Sequence, residues 1–159
     1  MSKASGFDLS IRIGRLNLKN PVMVASGTFG YAEEFRDFFD LKQLGAIVTK
    51  TITLKPREGS PPPRIAETPS GILNSIGLHN KGLDNFIEEK LPYLEKIKTN
   101  IIVSIAAESP EELTQIVRRL DKTGIDGIEL NLSCPNVTPS RDSSRGVKRK
   151  SRFLIAQHP

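Results

Sequence analysis

Between residues 22 and 132 the chain alternates short apolar runs with amphipathic stretches, and every apolar run ends on polar side chains. The runs are residues 22–25, 46–50, 101–106 and 127–132. Of these, 101–106 is almost unbroken in apolar residues, as a strand buried on both faces of a parallel sheet must be. Between the runs lie three helical patterns. Residues 32–39 place Phe35, Phe38 and Phe39 at i, i+3 and i+4, and 83–98 has helical spacing with Pro92 positioned to restart or kink it. The third starts at Ser109, a capping residue followed by Pro110 and then by Glu111 and Glu112 near the positive end of the helix dipole. It carries Leu113, Ile116, Val117 and Leu120 on one face and ends by Gly124. Strand–helix alternation of this kind predicts a parallel sheet of right-handed βαβ units.

A flavodoxin-like open sheet and an eight-stranded barrel both satisfy that alternation. No Gly-x-Gly-x-x-Gly follows the first strand, which weakens a dinucleotide-binding reading. In a barrel the chemistry sits at the carboxyl ends of the strands. Here Ser26, Lys50 with Thr51, Ser104, and Asn131 with Cys134 occupy all four such ends. The expectation is therefore an α/β fold of the (β/α)8 TIM-barrel type, about four βα units long. A short β-hairpin over residues 9–18, turning at Gly14-Arg15, precedes it. Residues 51–82, rich in Pro, Gly and Ser, read as one long functional loop.

Charge divides the chain differently. Residues 1–137 hold 17 basic and 17 acidic side chains and are neutral. Residues 138–159 hold Arg141, Arg145, Lys148, Arg149, Lys150 and Arg152 against Asp142 alone, so the whole net charge of +5 belongs to them. A single cysteine cannot form an internal disulfide, which fits a reducing compartment. With no apolar run of about 18 residues and no N-terminal signal or amphipathic stretch, the expected location is the cytoplasm.

Taken singly, the polar residues at the strand ends have ordinary readings. A lone cysteine is more often a small buried apolar residue than a reactive one. Beside Pro135 and among Asn131, Ser133 and Asn136, however, Cys134 reads as a loop-tip thiol, which acts as a general base where its pKa is lowered. A lysine at a strand end is normally a solvated charge. Lys50 follows an interior strand that aims its ammonium at the barrel mouth, where it would stabilise an anion or a reduced flavin.

Together these residues form a pattern. Lys50 to Arg64, Glu67-Thr68, Gly71 to Gly82, Ala25-Ser26-Gly27, and Asn131-Leu132-Ser133-Cys134-Pro135-Asn136 resemble, in order and spacing, the class 1 dihydroorotate dehydrogenases. The resemblance implies a flavin-dependent oxidoreductase that converts dihydroorotate to orotate in pyrimidine (UMP) biosynthesis, with FMN as cofactor and no metal. It implies that Cys134 is the catalytic base, removing a proton from C5 while a hydride leaves C6 for the flavin. Ser26, Lys50, Thr51 and Asn131 fall on cofactor-binding positions. Lys50, Asn74, Ser75, Ile76, Gly77, Leu78, Asn131 and Asn136 fall on substrate-binding ones. His79 has no part in this scheme and reads as structural. Ser104 departs from the family, standing where an FMN-contacting Asn is expected.

Cysteine as the base is similar to the soluble class. Lys50-Thr51, residues 67–71 and residues 73–78 look like its NAD-linked branch rather than the fumarate-reducing one. That branch pairs the FMN subunit with an electron-transfer subunit carrying FAD and a 2Fe–2S cluster, and the resemblance implies a homodimer or heterotetramer in the full-length family. The resemblance runs from about residue 8 to residue 137. Only the N-terminal half of a barrel of roughly 250 residues is expected here. Residues 138–159 read as a disordered basic tail from a frameshift or early stop, leaving the truncated chain inactive. The alternative is a non-catalytic fragment whose tail binds nucleic acid phosphates. No nucleic-acid fold accompanies the tail, and Phe153 is its one aromatic residue.

Overall fold

The structure, a computed structural model, describes residues 7–132 and Cys134. Its first element is the expected hairpin, Ile11–Ile13 (β1) paired antiparallel with Leu16–Leu18 (β2). Four strands then form one parallel sheet: Met23–Val24 (β3), Ala46–Val48 (β4), Asn100–Ile105 (β7) and Gly127–Leu130 (β8). Their spatial order, β3-β4-β7-β8, is their order along the chain. An open doubly wound sheet reverses its order at a switch point, whereas a barrel wall does not. The unreversed order thus separates the two architectures that the alternation alone left open.

One face of the sheet is covered by helices. Ile47, Ile101, Val103 and Ile105 are buried against Leu83, Phe86, Leu91, Leu94, Ile116 and Leu120. The first of these helical segments changes pitch along its length. Gly82–Asn85 (α1) runs into a π turn, Phe86–Lys90, and then into Leu91–Lys96 (α2), with Pro92 in the first turn of α2. Proline has no N–H to give the carbonyl four residues back, so the ladder loosens into the wider turn just before it. The last helix, Pro110–Leu120 (α3), begins as its sequence demands: the Ser109 hydroxyl accepts the Glu112 N–H at 3.2 Å.

Two expectations need correction. The helix over 32–39 is a single 3-10 turn, Glu33–Phe35. Ala32 before it stands at φ 69°, a left-handed conformation from which no helix continues, and its side chain offers no cap. The phenylalanine spacing serves ring packing instead, with Phe29 and Phe35 stacked at 4.0 Å and Phe39 tilted 6.2 Å from Phe29. Lys90 ties this turn to the helical layer through an ion pair to Glu33 at 2.7 Å.

The second correction concerns residues 51–82, which form an antiparallel arm rather than a loop. Ile65–Thr68 (β5) pairs with Gly71–Asn74 (β6). Below that hairpin the pairing continues through Ser75 N–H to Arg64 O (2.8 Å), Ser60 N–H to Ile76 O (3.0 Å) and reciprocal bonds between Arg57 and Asn80. Here the two chain segments lie too close for side chains. A Cβ on Gly59 would stand 2.3 Å from the Ile76 carbonyl oxygen, and one on Gly77 would stand 2.6 Å from Ser60 Oγ. Both glycines also sit at positive φ, so the arm's closure requires them.

Asn80 anchors the arm to the barrel. Its buried Oδ1 accepts the N–H groups of Gly82 (2.8 Å) and Thr53 (3.2 Å). Its Nδ2 donates to the Leu78 carbonyl (2.8 Å) and to Thr53 Oγ1 (2.9 Å). Removing the amide strands several buried backbone groups at once. Asn80→Ala is expected to lower stability by about 2–4 kcal/mol in urea unfolding. A loss below about 1 kcal/mol would mean that water replaces the amide.

Candidate functional site

The four strands deliver their polar residues to one rim of the sheet, and there the side chains meet on Thr51. Asn131 Nδ2 donates to Thr51 Oγ1 at 3.1 Å. Ser26 Oγ lies 3.1 Å from the same oxygen and Ser104 Oγ 3.0 Å from it. A hydroxyl has one proton to donate and two lone pairs to fill. With the amide proton occupying one lone pair, Thr51 donates to one serine and accepts from the other, and its capacity is used up. Ser104 and Thr51 are buried, while Ser26 and Asn131 are partly open. The cluster therefore fixes how the Asn131 amide is turned. Nδ2 faces the protein, and Oδ1 with the second N–H remains for a ligand.

The register of β4 against β7 explains how Thr51 reaches this position. Val48 pairs with Ile102, so an uninterrupted ladder would set Ile52 opposite Ala106. Instead Ile52 pairs with Ile105. One extra residue has been inserted on the β4 side, and a parallel β-bulge lies within residues 49–51. Its limits are bonds from Thr49 N–H to Ile102 O (3.0 Å) and from Ile52 N–H to Ser104 O (2.9 Å). Without the bulge, Thr51 would project to the helix side of the sheet. With it, the consecutive residues Lys50 and Thr51 both belong to the face that carries Ser104.

Lys50 sits half-buried at this rim. Desolvation lowers its pKa; nearby Glu34 opposes the shift and nearby Arg64 adds to it. Among the described residues it makes no ion pair within 4.0 Å. Arg64 belongs to the arm, where its guanidinium donates to the carbonyls of Ser60 (2.5 Å) and Glu58 (2.7 Å). The base of the arm thereby comes close to Lys50.

The expected substrate residues on the arm are placed less uniformly. Asn74 closes β6 and is exposed, as is Ser75; Ile76 and Leu78 are partly buried and Gly77 is buried. Ser75, Ile76 and Gly77 pack along residues 59–64, not against the Thr51 cluster. The His79 Nδ1 lies 2.9 Å from the Glu58 carbonyl oxygen, a bond that needs the proton on Nδ1 and gives His79 a part in closing the arm. Cys134 is partly buried beyond β8. Asn136 and the basic segment 138–159 lie outside the described residues. One contributor escaped the sequence reading: Asn80 sat unremarked in the Gly71–Gly82 block. Ser104, singled out for its departure from the family, is a member of the hydroxyl cluster.

Among the described residues no helix is long and apolar enough to cross a membrane. The dihydroorotate dehydrogenase family model matches residues 8–157. A dihydroorotate dehydrogenase B (NAD(+)) catalytic subunit of a Thermoanaerobacter species is 55% identical over 130 residues, covering 82% of this chain and 43% of that protein. A protein of the same name from Bacteroides thetaiotaomicron is 54% identical over 133 residues, with the same coverages. Among solved structures, an Eimeria tenella dihydroorotate dehydrogenase in complex with ferulenol superposes with a TM-score of 0.62 at 28% identity. That superposition covers 84% of this chain and 39% of the other. The chain thus spans about two fifths of the length of the relatives it matches. Sequence, strand order and rim chemistry converge, and the chain belongs to the dihydroorotate dehydrogenase family.

Proposed function

We propose that this chain supplies the N-terminal half of a flavin site that oxidises dihydroorotate to orotate in pyrimidine (UMP) biosynthesis. The observation that carries the reading is the meeting of Ser26, Ser104 and Asn131 on Thr51, beside a half-buried Lys50. Residues 1–137 would form the half-barrel and 138–159 a separate basic segment. The relatives are named as NAD(+)-linked catalytic subunits. A name that specifies a catalytic subunit supports a second, electron-transferring subunit; in our reading that subunit carries FAD and a 2Fe–2S cluster, in a cytoplasmic homodimer or heterotetramer.

The donor set suits FMN. Its ring presents carbonyl oxygens and an imide N–H, and the rim offers a cation, hydroxyls and an amide with both polarities free. FMN, when bound, accepts the hydride that leaves substrate C6. The Thr51 hydroxyl is consumed within the protein, so what Thr51 offers a flavin is its backbone, and its side chain serves to orient Asn131. Lys50 faces the electron-rich side of the flavin and the substrate carboxylate, where a desolvated ammonium attracts an anion more strongly than a hydrated one does. Asn131 is shared by cofactor and substrate, and Asn74 to Leu78, with Asn136, surround the pyrimidine. Cys134 takes the C5 proton.

The decisive experiment joins residues 1–137 to the remaining C-terminal part of the Thermoanaerobacter relative and assays dihydroorotate oxidation. Cys134→Ala in that chimera is expected to reduce kcat by about a hundredfold or more at neutral pH while flavin stays bound. A flavin-loaded chimera indifferent to the substitution would sink the assignment of the base.

Lys50 has its own readout. Its lowered pKa leaves more neutral amine at a given pH, so amine-reactive labelling of Lys50 should set in at lower pH than that of an ordinary lysine amine. In the chimera, orotate should suppress that labelling by about tenfold at saturation, since a bound anion both covers and recharges the amine. Equal labelling with and without orotate would remove Lys50 from the binding site.

A further inference from the structure

The ladder between β4 and β7 has a repaired gap. In a parallel pair, a residue that donates its N–H to one carbonyl of the neighbouring strand accepts, on its own carbonyl, the N–H two residues further along that strand. Thr49 donates to the Ile102 carbonyl, so its carbonyl should receive the Ser104 N–H. The Ser104 N–H is bonded to the Thr49 hydroxyl instead, at 3.2 Å. The bulge has carried the backbone away from β7, and a side-chain oxygen one residue before Lys50 stands in for the displaced carbonyl. Both Thr49 and Ser104 are fully buried, so no bulk water competes for that N–H.

We propose that Thr49 is the positioning residue of this site, its hydroxyl holding open the bulge that sets Lys50 and Thr51 on the same face. The inference rests on the proposed role of Lys50 and Thr51 at a ligand site, but its geometry does not. A residue without a hydroxyl at 49 leaves the Ser104 N–H unpaired in the interior, and the unpaired group favours the continuous register in which a carbonyl recovers it. That register sends Thr51 to the helix side and dismantles the hydroxyl cluster, while Lys50, which the continuous count sets opposite Ser104, stays on that face without Thr51 beside it. Valine fills nearly the same volume as threonine. The hydroxyl is the property that matters, and serine retains it.

The test compares the unsubstituted chain with Thr49→Val and Thr49→Ser, reading the cross-strand amide contacts of Ile105 in each by nuclear Overhauser effects. In Thr49→Val the contact of Ile52 with Ile105 should be lost and replaced by one from Thr51, while Thr49→Ser keeps the original pairing. A folded Thr49→Val protein that keeps Ile52 opposite Ile105 overturns the proposal. Should that variant fail to fold, amide nuclear Overhauser contacts in the unsubstituted chain decide the matter. Ile52 opposite Ile105, with the Thr49 side chain beside the Ser104 amide, supports it, whereas Thr51 opposite Ile105 overturns it. Failure of orotate to protect Lys50 would count against the ligand site alone and leave this register question standing.

Discussion

A threonine hydroxyl can satisfy three neighbours and no more, and Thr51 uses all three of its valences to join the ends of the other three parallel strands. Ser26 follows β3, Ser104 lies within β7 and Asn131 follows β8, while Thr51 itself follows β4. Each of these groups would be costly to bury alone. Held in one network, they are satisfied, and the positions of four strand ends become mutually dependent. The rim is consequently a rigid platform whose outward-facing polarity is decided from behind. The Asn131 amide presents its oxygen because its nitrogen is already committed.

Much of the architecture was legible in the residues. Ile101 to Ile105 could hardly be anything but a buried strand, and Ser109-Pro110-Glu111-Glu112 specifies a helix start by local chemistry alone. Such features depend on neighbours in sequence. What was not legible depends on neighbours in space. The Phe35, Phe38 and Phe39 spacing matches a helix, yet ring stacking on Phe29 and a left-handed Ala32 claim those residues for a turn. The hairpin β5–β6 hid among prolines and glycines because its two strands bury nothing and so carry no clean alternation. The bulge after β4 is invisible in one dimension, since a register slip exists only between two strands.

For the site, the sequence named Ser26, Lys50, Thr51 and Asn131, and three of these four do share one hydrogen-bonded cluster. The roles within the cluster were beyond its reach. Nothing in Thr-Lys-Thr-Ile-Thr distinguishes a hydroxyl that repairs a ladder from one that links strands or one that anchors an arm, yet Thr49, Thr51 and Thr53 do these three things in turn. The sheet that carries them accounts for four strands of an eight-stranded wall. Leu130 on its last strand with Leu132 just after it, and Met23 on its first with Val22 just before it, remain exposed, at the two places where a barrel continues.

The exposed arm has a consequence for the timescale on which the site can be entered. Both faces of β5–β6 meet solvent, with Ile65 and Ile72 on one side and Leu73 on the other, and a two-stranded ribbon without a packed face is only marginally stable. Its base is fixed by Asn80, Gly59 and Gly77, whereas its tip is held by ladder bonds alone. The tip can therefore open and re-form as a local event, without disturbing the barrel wall. In amide exchange it would behave as a unit separate from β4 and β7, the fast-exchanging flap on a slow-exchanging frame. Residues 74–78 stand at the hinge between the two, so a molecule bound against them would draw the flap into the slow class.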